Sequence, residues 1–175
     1  MKKKLLFILL LPVFILLLTG CEEEDNRKTI SLTDPAFGYI TTFKYNPEEN
    51  YSEAKYEEGG LSKRITFENK DLDVQFDMYY TRMSKTSYDQ SKKIRSKQKY
   101  YKEYKFGEYE AYAYGESSSG INLNLLIGVD GYKDAHILFI AIDRLDTNEK
   151  VVVANLLDKE LKDFFNSIEI ESVDE

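Results

Sequence analysis

The run His136-Ile137-Leu138-Phe139-Ile140-Ala141-Ile142 constrains the fold more than any other stretch of the chain. Six successive apolar residues follow His136, so neither face of an extended segment there can meet water. Such a strand belongs in the middle of a sheet with layers above and below it. The segment before it, Ile121 to Val129, alternates Ile121, Leu123, Leu125 and Ile127 with Asn122, Asn124 and Leu126. Asp130-Gly131 between the two runs predicts a two-residue type I′ hairpin. The most regular alternation lies earlier, from Leu72 to Tyr80. Leu72, Val74, Phe76, Met78 and Tyr80 share one face, and Asp73, Gln75, Asp77 and Tyr79 the other, which reads as a strand with one side buried and one side wet.

Other segments fill in around these three. Gly38 to Tyr45 and Leu61 to Glu68 are rich in aromatic and β-branched residues and read as strands, with Glu48 to Gly60 as a long loop between them. Tyr104 to Gly115 reads as a strand or a bent pair, Glu116 to Gly120 as a flexible loop, and Ser167 to Glu171 as a short last strand. Two segments carry the helical period. Ser84 to Tyr101 repeats Tyr88, Ser91, Ile94, Gln98 and Tyr101 every three or four residues, a narrow packing stripe, with Ser84 or Thr86 to cap its start. Asn148 to Phe165, capped by Asp146 or Thr147, has a broad stripe of Val153, Leu156, Leu157, Leu161, Phe164 and Phe165. The expected class is α+β, a mainly antiparallel sheet packed by two helices, in a single domain over residues 37–172.

This order of elements resembles the PsbP-like α/β/α sandwich, on the strand Leu61 to Glu68, the hairpin at Asp130-Gly131 and the ending Phe164-Phe165-Asn166-Ser167-Ile168. The resemblance spans roughly Phe37 to Glu171. It implies a binding or assembly role and brings no catalytic residues with it. The wet face of Leu72 to Tyr80 departs from a fully covered sandwich and fits an edge strand or an open two-layer sheet better.

The start of the chain has a separate logic. Lys2, Lys3 and Lys4 precede an apolar run from Leu5 to Leu18, which is 14 residues long and contains Pro12. That is short of the ~20 apolar residues a spanning helix needs, and matches the layout of a secretory signal. Leu18-Thr19-Gly20-Cys21 resembles the lipobox of bacterial lipoproteins. The resemblance implies cleavage before Cys21, a diacylglyceryl group on its thiol, acylation of the new amino terminus, and a protein anchored in the cell membrane facing outside the cytoplasm. Residues 1–20 are then the signal peptide and 21–36 a tether. Two or more acyl chains hold firmly where one holds marginally.

Cys21 is the only cysteine, so no disulfide can form within the chain and no thiol is left for catalysis. Without the three leader lysines the chain carries 21 basic and 31 acidic residues, a formal charge of −10. That balance opposes non-specific binding to nucleic acid. The acidic stretch Glu22 to Asp25 lacks the spaced ligands and turn glycine of a calcium loop. With one histidine and a lipid-linked cysteine, no zinc site is expected, and the only group attached to the chain is the lipid on Cys21.

Two function classes follow. The favoured one is a non-enzymatic binding or assembly module of the cell envelope. Its candidate surface is the basic helix with Lys92, Lys93, Arg95 and Lys97, followed by the tyrosine-rich stretch with Tyr101, Tyr104, Tyr112 and Tyr114. Lysines there suit an anionic wall polymer or an acidic envelope protein, and tyrosine supplies contact area with a polar tip. The same lysines can instead meet the protein's own carboxylates, and the tyrosines can fill space beneath helices in a chain with 14 tyrosines and no tryptophan. The alternative class is an envelope hydrolase acting on cell-wall or lipid substrates. It requires Ser117, Ser118 or Ser119 to meet His136 and Asp134 or Asp143, although no Gly-x-Ser-x-Gly elbow surrounds the serines.

Overall fold

A computed structural model describes residues 26–34, 36–59, 62–130, 134–145 and 152–173. The leader, Cys21, Glu22 to Asp25, Gly131 and the caps Asp146 and Thr147 lie outside the described residues. Among the described residues, ten strands and three helices follow in the order β1 (Lys28–Asp34), β2 (Tyr39–Tyr45), β3 (Lys55–Gly59), β4 (Ser62–Asn69), β5 (Val74–Ser84), α1 (Lys85–Arg95), β6 (Lys102–Phe106), β7 (Tyr109–Tyr114), β8 (Gly120–Asp130), β9 (Asp134–Arg144), α2 (Val153–Leu156), α3 (Lys162–Asn166) and β10 (Glu169–Ser172).

Seven strands form one antiparallel sheet in the order β3-β4-β5-β9-β8-β7-β6, and β1-β2-β10 form a second. The apolar run of β9 therefore occupies the centre of the large sheet, where its two-sided hydrophobicity requires it. On one face of that sheet Ile65, Phe67, Val74, Phe76, Met78, Leu123, Leu125, Leu138 and Ile140 are buried. They pack against Ile30, Leu32 and Phe43 of the small sheet and against Val153, Leu156, Leu157, Leu161, Phe164 and Phe165. Rings dominate this core: Phe43 stacks on Phe164 at 4.8 Å, Phe67 on Phe76 at 4.7 Å, and Phe106 meets Phe165 at 5.2 Å. The small sheet is tied down by polar bonds as well. Tyr80 Oη reaches the Leu32 carbonyl and Thr41 Oγ1, and the buried Asp34 accepts the backbone N–H of Lys63 at 2.7 Å and that of Ala36 at 3.0 Å.

The expected α+β sandwich packed by two helices is not what forms. Strand accounts for 55% of the described residues and helix for 15%, so the fold is β-rich, two sheets with three short helices. The long last helix is the main reason. Its apolar residues are buried as the stripe requires, but Val153 and Leu156 sit on α2, Phe164 and Phe165 on α3, and Leu157 and Leu161 on the turns over 157–161 that join them. Asn155 in the last turn of α2 and Asp158 in the break itself are weak helix formers whose side chains compete for backbone bonds. The first helix ends at Arg95 rather than Tyr101, and Ser84 caps it by accepting the Ser87 N–H at 3.1 Å. Ile94, placed by its spacing on the packing stripe, is instead 65% exposed.

Two strands lie where the sequence reads as tether or loop. β1 pairs along its whole length with β2, Lys28 opposite Tyr45 through Asp34 opposite Tyr39. β3 pairs with β4. The Tyr104 to Gly115 segment is a hairpin, β6 and β7, turning at Gly107 with φ +58°. β8 and β9 pair antiparallel up to Asp130 opposite Asp134, and the turn read at Asp130-Gly131 falls at the edge of the described residues.

Candidate functional site

The outer face of the large sheet, away from the small sheet, carries α1. Tyr88 is the one buried residue of that helix. It lands edge-on against Tyr112 at 5.5 Å, in a cluster with Tyr114, Ala135 and Ile137. Tyr112 Oη donates to Ser91 Oγ at 3.3 Å, and the Arg95 guanidinium lies over the Tyr114 ring at 4.7 Å. Lys92, Lys93 and Arg95 fall in the last turn, where cations favour the negative end of the helix dipole.

The cations on α1 and in the segment after it fall into two groups. Lys85 pairs with Asp89, Lys92 with Glu103 at 2.8 Å and Lys102 with Asp158 at 2.6 Å. Glu103 also accepts the Tyr101 hydroxyl at 2.7 Å, and the bonds from Lys92 and Tyr101 hold its carboxyl below the ordinary value. Arg95 is occupied by Tyr114, and Lys99 lies over the Tyr100 ring at 4.8 Å. Lys93 and Lys97 are exposed and face no carboxylate within ion-pair distance among the described residues, with the exposed Ile94 next to Lys93 in the chain.

The candidate tyrosines do not share one surface. Tyr112 is 1% exposed and Tyr114 9%, both beneath α1, while Tyr101 packs against Tyr112 at 6.2 Å. Tyr104 lies on the opposite, core face, stacked on Phe106 at 5.3 Å, and burial pushes its phenol up to about 12. Tyr112 and Tyr114 are therefore covered, while Tyr101 and Tyr104 remain half-buried.

The pieces of a hydrolase are not brought together. Ser117 Oγ and Ser119 Oγ bond each other at 2.7 Å, and the Ser119 carbonyl accepts the Arg144 N–H at 2.8 Å, fixing that loop at the last residue of β9. His136 lies near the first residue of β9, edge-on to Tyr39 at 5.5 Å. Eight residues of strand at ~3.4 Å each place them roughly 27 Å apart. Among the described residues no group of three or more His, Cys, Asp or Glu is placed to hold a metal ion. An open pocket of about 390 Å³, lined by Arg27, Lys44, Asn46, Glu49, Asp163 and Asn166 among others, sits where the chain enters β1.

No family model, no curated protein and no solved structure matches this chain.

Proposed function

We propose that the chain is an extracytoplasmic lipoprotein, anchored in the membrane through lipid on Cys21, whose domain is a non-enzymatic binding module for an anionic polymer of the envelope. The contact surface is Lys93, Ile94 and Lys97 on and just beyond α1. One observation carries this reading: in a strongly acidic chain, Lys93 and Lys97 stand exposed beside an exposed isoleucine, while Lys85, Lys92 and Lys102 are taken up by Asp89, Glu103 and Asp158. Each paired lysine has a carboxylate beside it that cancels its field for an outside polyanion, whereas the other two keep their charge for one. α1 lies across the large sheet from β1, the strand into which the tether feeds, so that strand does not cover the patch.

The test is retention of the full-length protein on poly(glycerol phosphate) at low and high salt. Wild type should bind at low salt and release as the Debye length shrinks to ~3 Å near 1 M. Lys93→Glu with Lys97→Glu should bind several-fold more weakly, and Lys85→Glu should not. Unchanged binding by the double variant would overturn the assignment of the surface. The anchor is checked separately: Cys21→Ala should lose lipid label and leave the membrane fraction.

A further inference from the structure

The large sheet has a second outer-face feature that α1 does not cover. Strand register sets Arg64, Tyr79, Phe139, Asn124 and Tyr112 in one row across β4, β5, β9, β8 and β7. The next row is Thr66, Asp77, Ala141, Asn122 and Tyr114, and the third runs Glu68, Gln75, Asp143 and Gly120. The cluster beneath α1 takes in Tyr112, Tyr114, Ala135 and Ile137 but neither Tyr79 nor Phe139. Those two rings lie 4.8 Å apart and half-buried, open on the side away from the core. At the spacing of paired strands, the floor from β4 to β8 is roughly 14 Å wide. Arg95, lying over Tyr114, stands on its α1 side.

The polar groups on this floor define what fits. Arg64 grips Asp77 through both Nε and Nη2 and lies over Tyr79 at 5.8 Å, so the pair closes on itself. Asp143 lies over Gly120, where any Cβ would collide with its carboxylate oxygen. Burial and the neighbouring Asp77 raise its pKa, so its surroundings resist charge. From β4 to β8, the charged groups in the two rows that hold the rings and amides are Arg64 and Asp77, which neutralise each other, while Glu68 and Asp143 lie in the third row. The floor does offer amides. The side chains of Asn122 and Asn124 make no hydrogen bond among the described residues, and their amide atoms keep some access to solvent. Each amide can both donate and accept, so both are available to a ligand that does the same.

We propose that this floor binds a neutral oligosaccharide, with sugar rings stacked on Tyr79 and Phe139 and hydroxyls bonded to Asn122 and Asn124. A hydroxyl donates and accepts at once, matching an amide, and the C–H face of a pyranose matches an aromatic face. Apolar surface with a few convergent polar groups and a balanced charge is the composition of a small-ligand site. This surface is separate from Lys93 and Lys97.

The experiment titrates the full-length protein in detergent micelles with cellotetraose and chitotetraose by calorimetry. Saturable binding of one of them is expected, weakened about tenfold by Tyr79→Ala, by Phe139→Ala and by Asn122→Ala, each with unchanged circular dichroism. Lys93→Glu should leave it intact. No saturable binding of either sugar overturns the proposal, as does binding that all three substitutions leave unchanged. Binding of tetralysine that is lost in Asp143→Asn would also overturn it and give the floor to a cationic peptide.

Discussion

Tyr80→Phe tests how the two sheets are joined. Tyr80 is 1% exposed and Thr41 fully buried, and the Tyr80 hydroxyl lies 3.1 Å from the Leu32 carbonyl oxygen and 2.7 Å from Thr41 Oγ1. A phenol has one proton, so when Tyr80 donates to Leu32 the Thr41 hydroxyl supplies the other bond. Deleting the phenol oxygen removes two bonds at ~1 kcal/mol each and leaves the Thr41 hydroxyl buried without a partner, which adds to the loss; the expected total is ~2–3 kcal/mol. Thr41→Val removes one bond and leaves Tyr80 its other acceptor, so it should cost ~1 kcal/mol or less. The double variant should cost little more than Tyr80→Phe alone, because the stranded hydroxyl is gone, and the cycle should give a coupling of ~1 kcal/mol. Urea unfolding at fixed m-value reads the differences, and the melting temperature should fall by roughly 5–10 °C in Tyr80→Phe. A cost below ~0.5 kcal/mol, or strictly additive single effects, would refute the claim that this pair holds the small sheet to the large one.

Alkaline pH offers a second test. Burial raises the phenol pKa values of Tyr80 and Tyr88 above the ordinary 10.0. Below pH ~10 both states hold the proton and stability is flat; above it the unfolded chain releases protons the native state retains, so each tyrosine removes up to ~1.4 kcal/mol per pH unit until its native pKa is reached. Phenolate absorbance should accordingly appear in an exposed class near pH 10 and a second class only on cooperative unfolding; a single early titration would contradict the burial. Gly115→Ala should destabilise by ~1–3 kcal/mol in thermal melts, because a Cβ there stands 2.7 Å from the Gly120 carbonyl oxygen, which is backbone and cannot swing away. Gly128→Ala, whose Cβ would meet only Tyr39 Oη at 3.6 Å, is the control and should be nearly neutral on packing grounds.

The strands whose own side chains bury a face were legible. β9 has apolar residues on both faces and is central; β5 alternates, and its Val74, Phe76, Met78 and Tyr80 are all buried. β3 has only Tyr56 to mark it, and that ring is 60% exposed, so its strand character comes from pairing with β4 rather than from its own pattern. β1 signals itself only through Ile30 and Leu32, directly after a charged run. The stripe from Val153 to Phe165 correctly named buried residues, but periodicity cannot distinguish one helix from two short ones in the same register. In the site, the lysines were visible and their fates were not. Lys102 meets Asp158 across 56 positions, and Tyr79 meets Phe139 only because β5 pairs with β9. Such meetings are properties of topology, which local pattern does not encode.

The edges of the large sheet bear on how this domain can recognise anything. An open edge presents unpaired N–H and C=O groups to any extended chain, and charged side chains are a common guard against that. β3 carries exposed Lys55 and Glu57 at one edge, and β6 carries exposed Lys102, Glu103 and Lys105 at the other. Adding a strand at either edge would force those charges against the incoming chain, and on β6 would also compete with the bonds from Lys92 to Glu103 and from Lys102 to Asp158. The core face is filled by the small sheet, α2 and α3. What remains is the outer face, where α1 presents Lys93, Ile94 and Lys97 and the uncovered strands present Tyr79, Phe139 and Asn122. Because these lie on different elements, substitution at one should leave binding at the other unchanged, and loss of both through either would mean that the face acts as a single site.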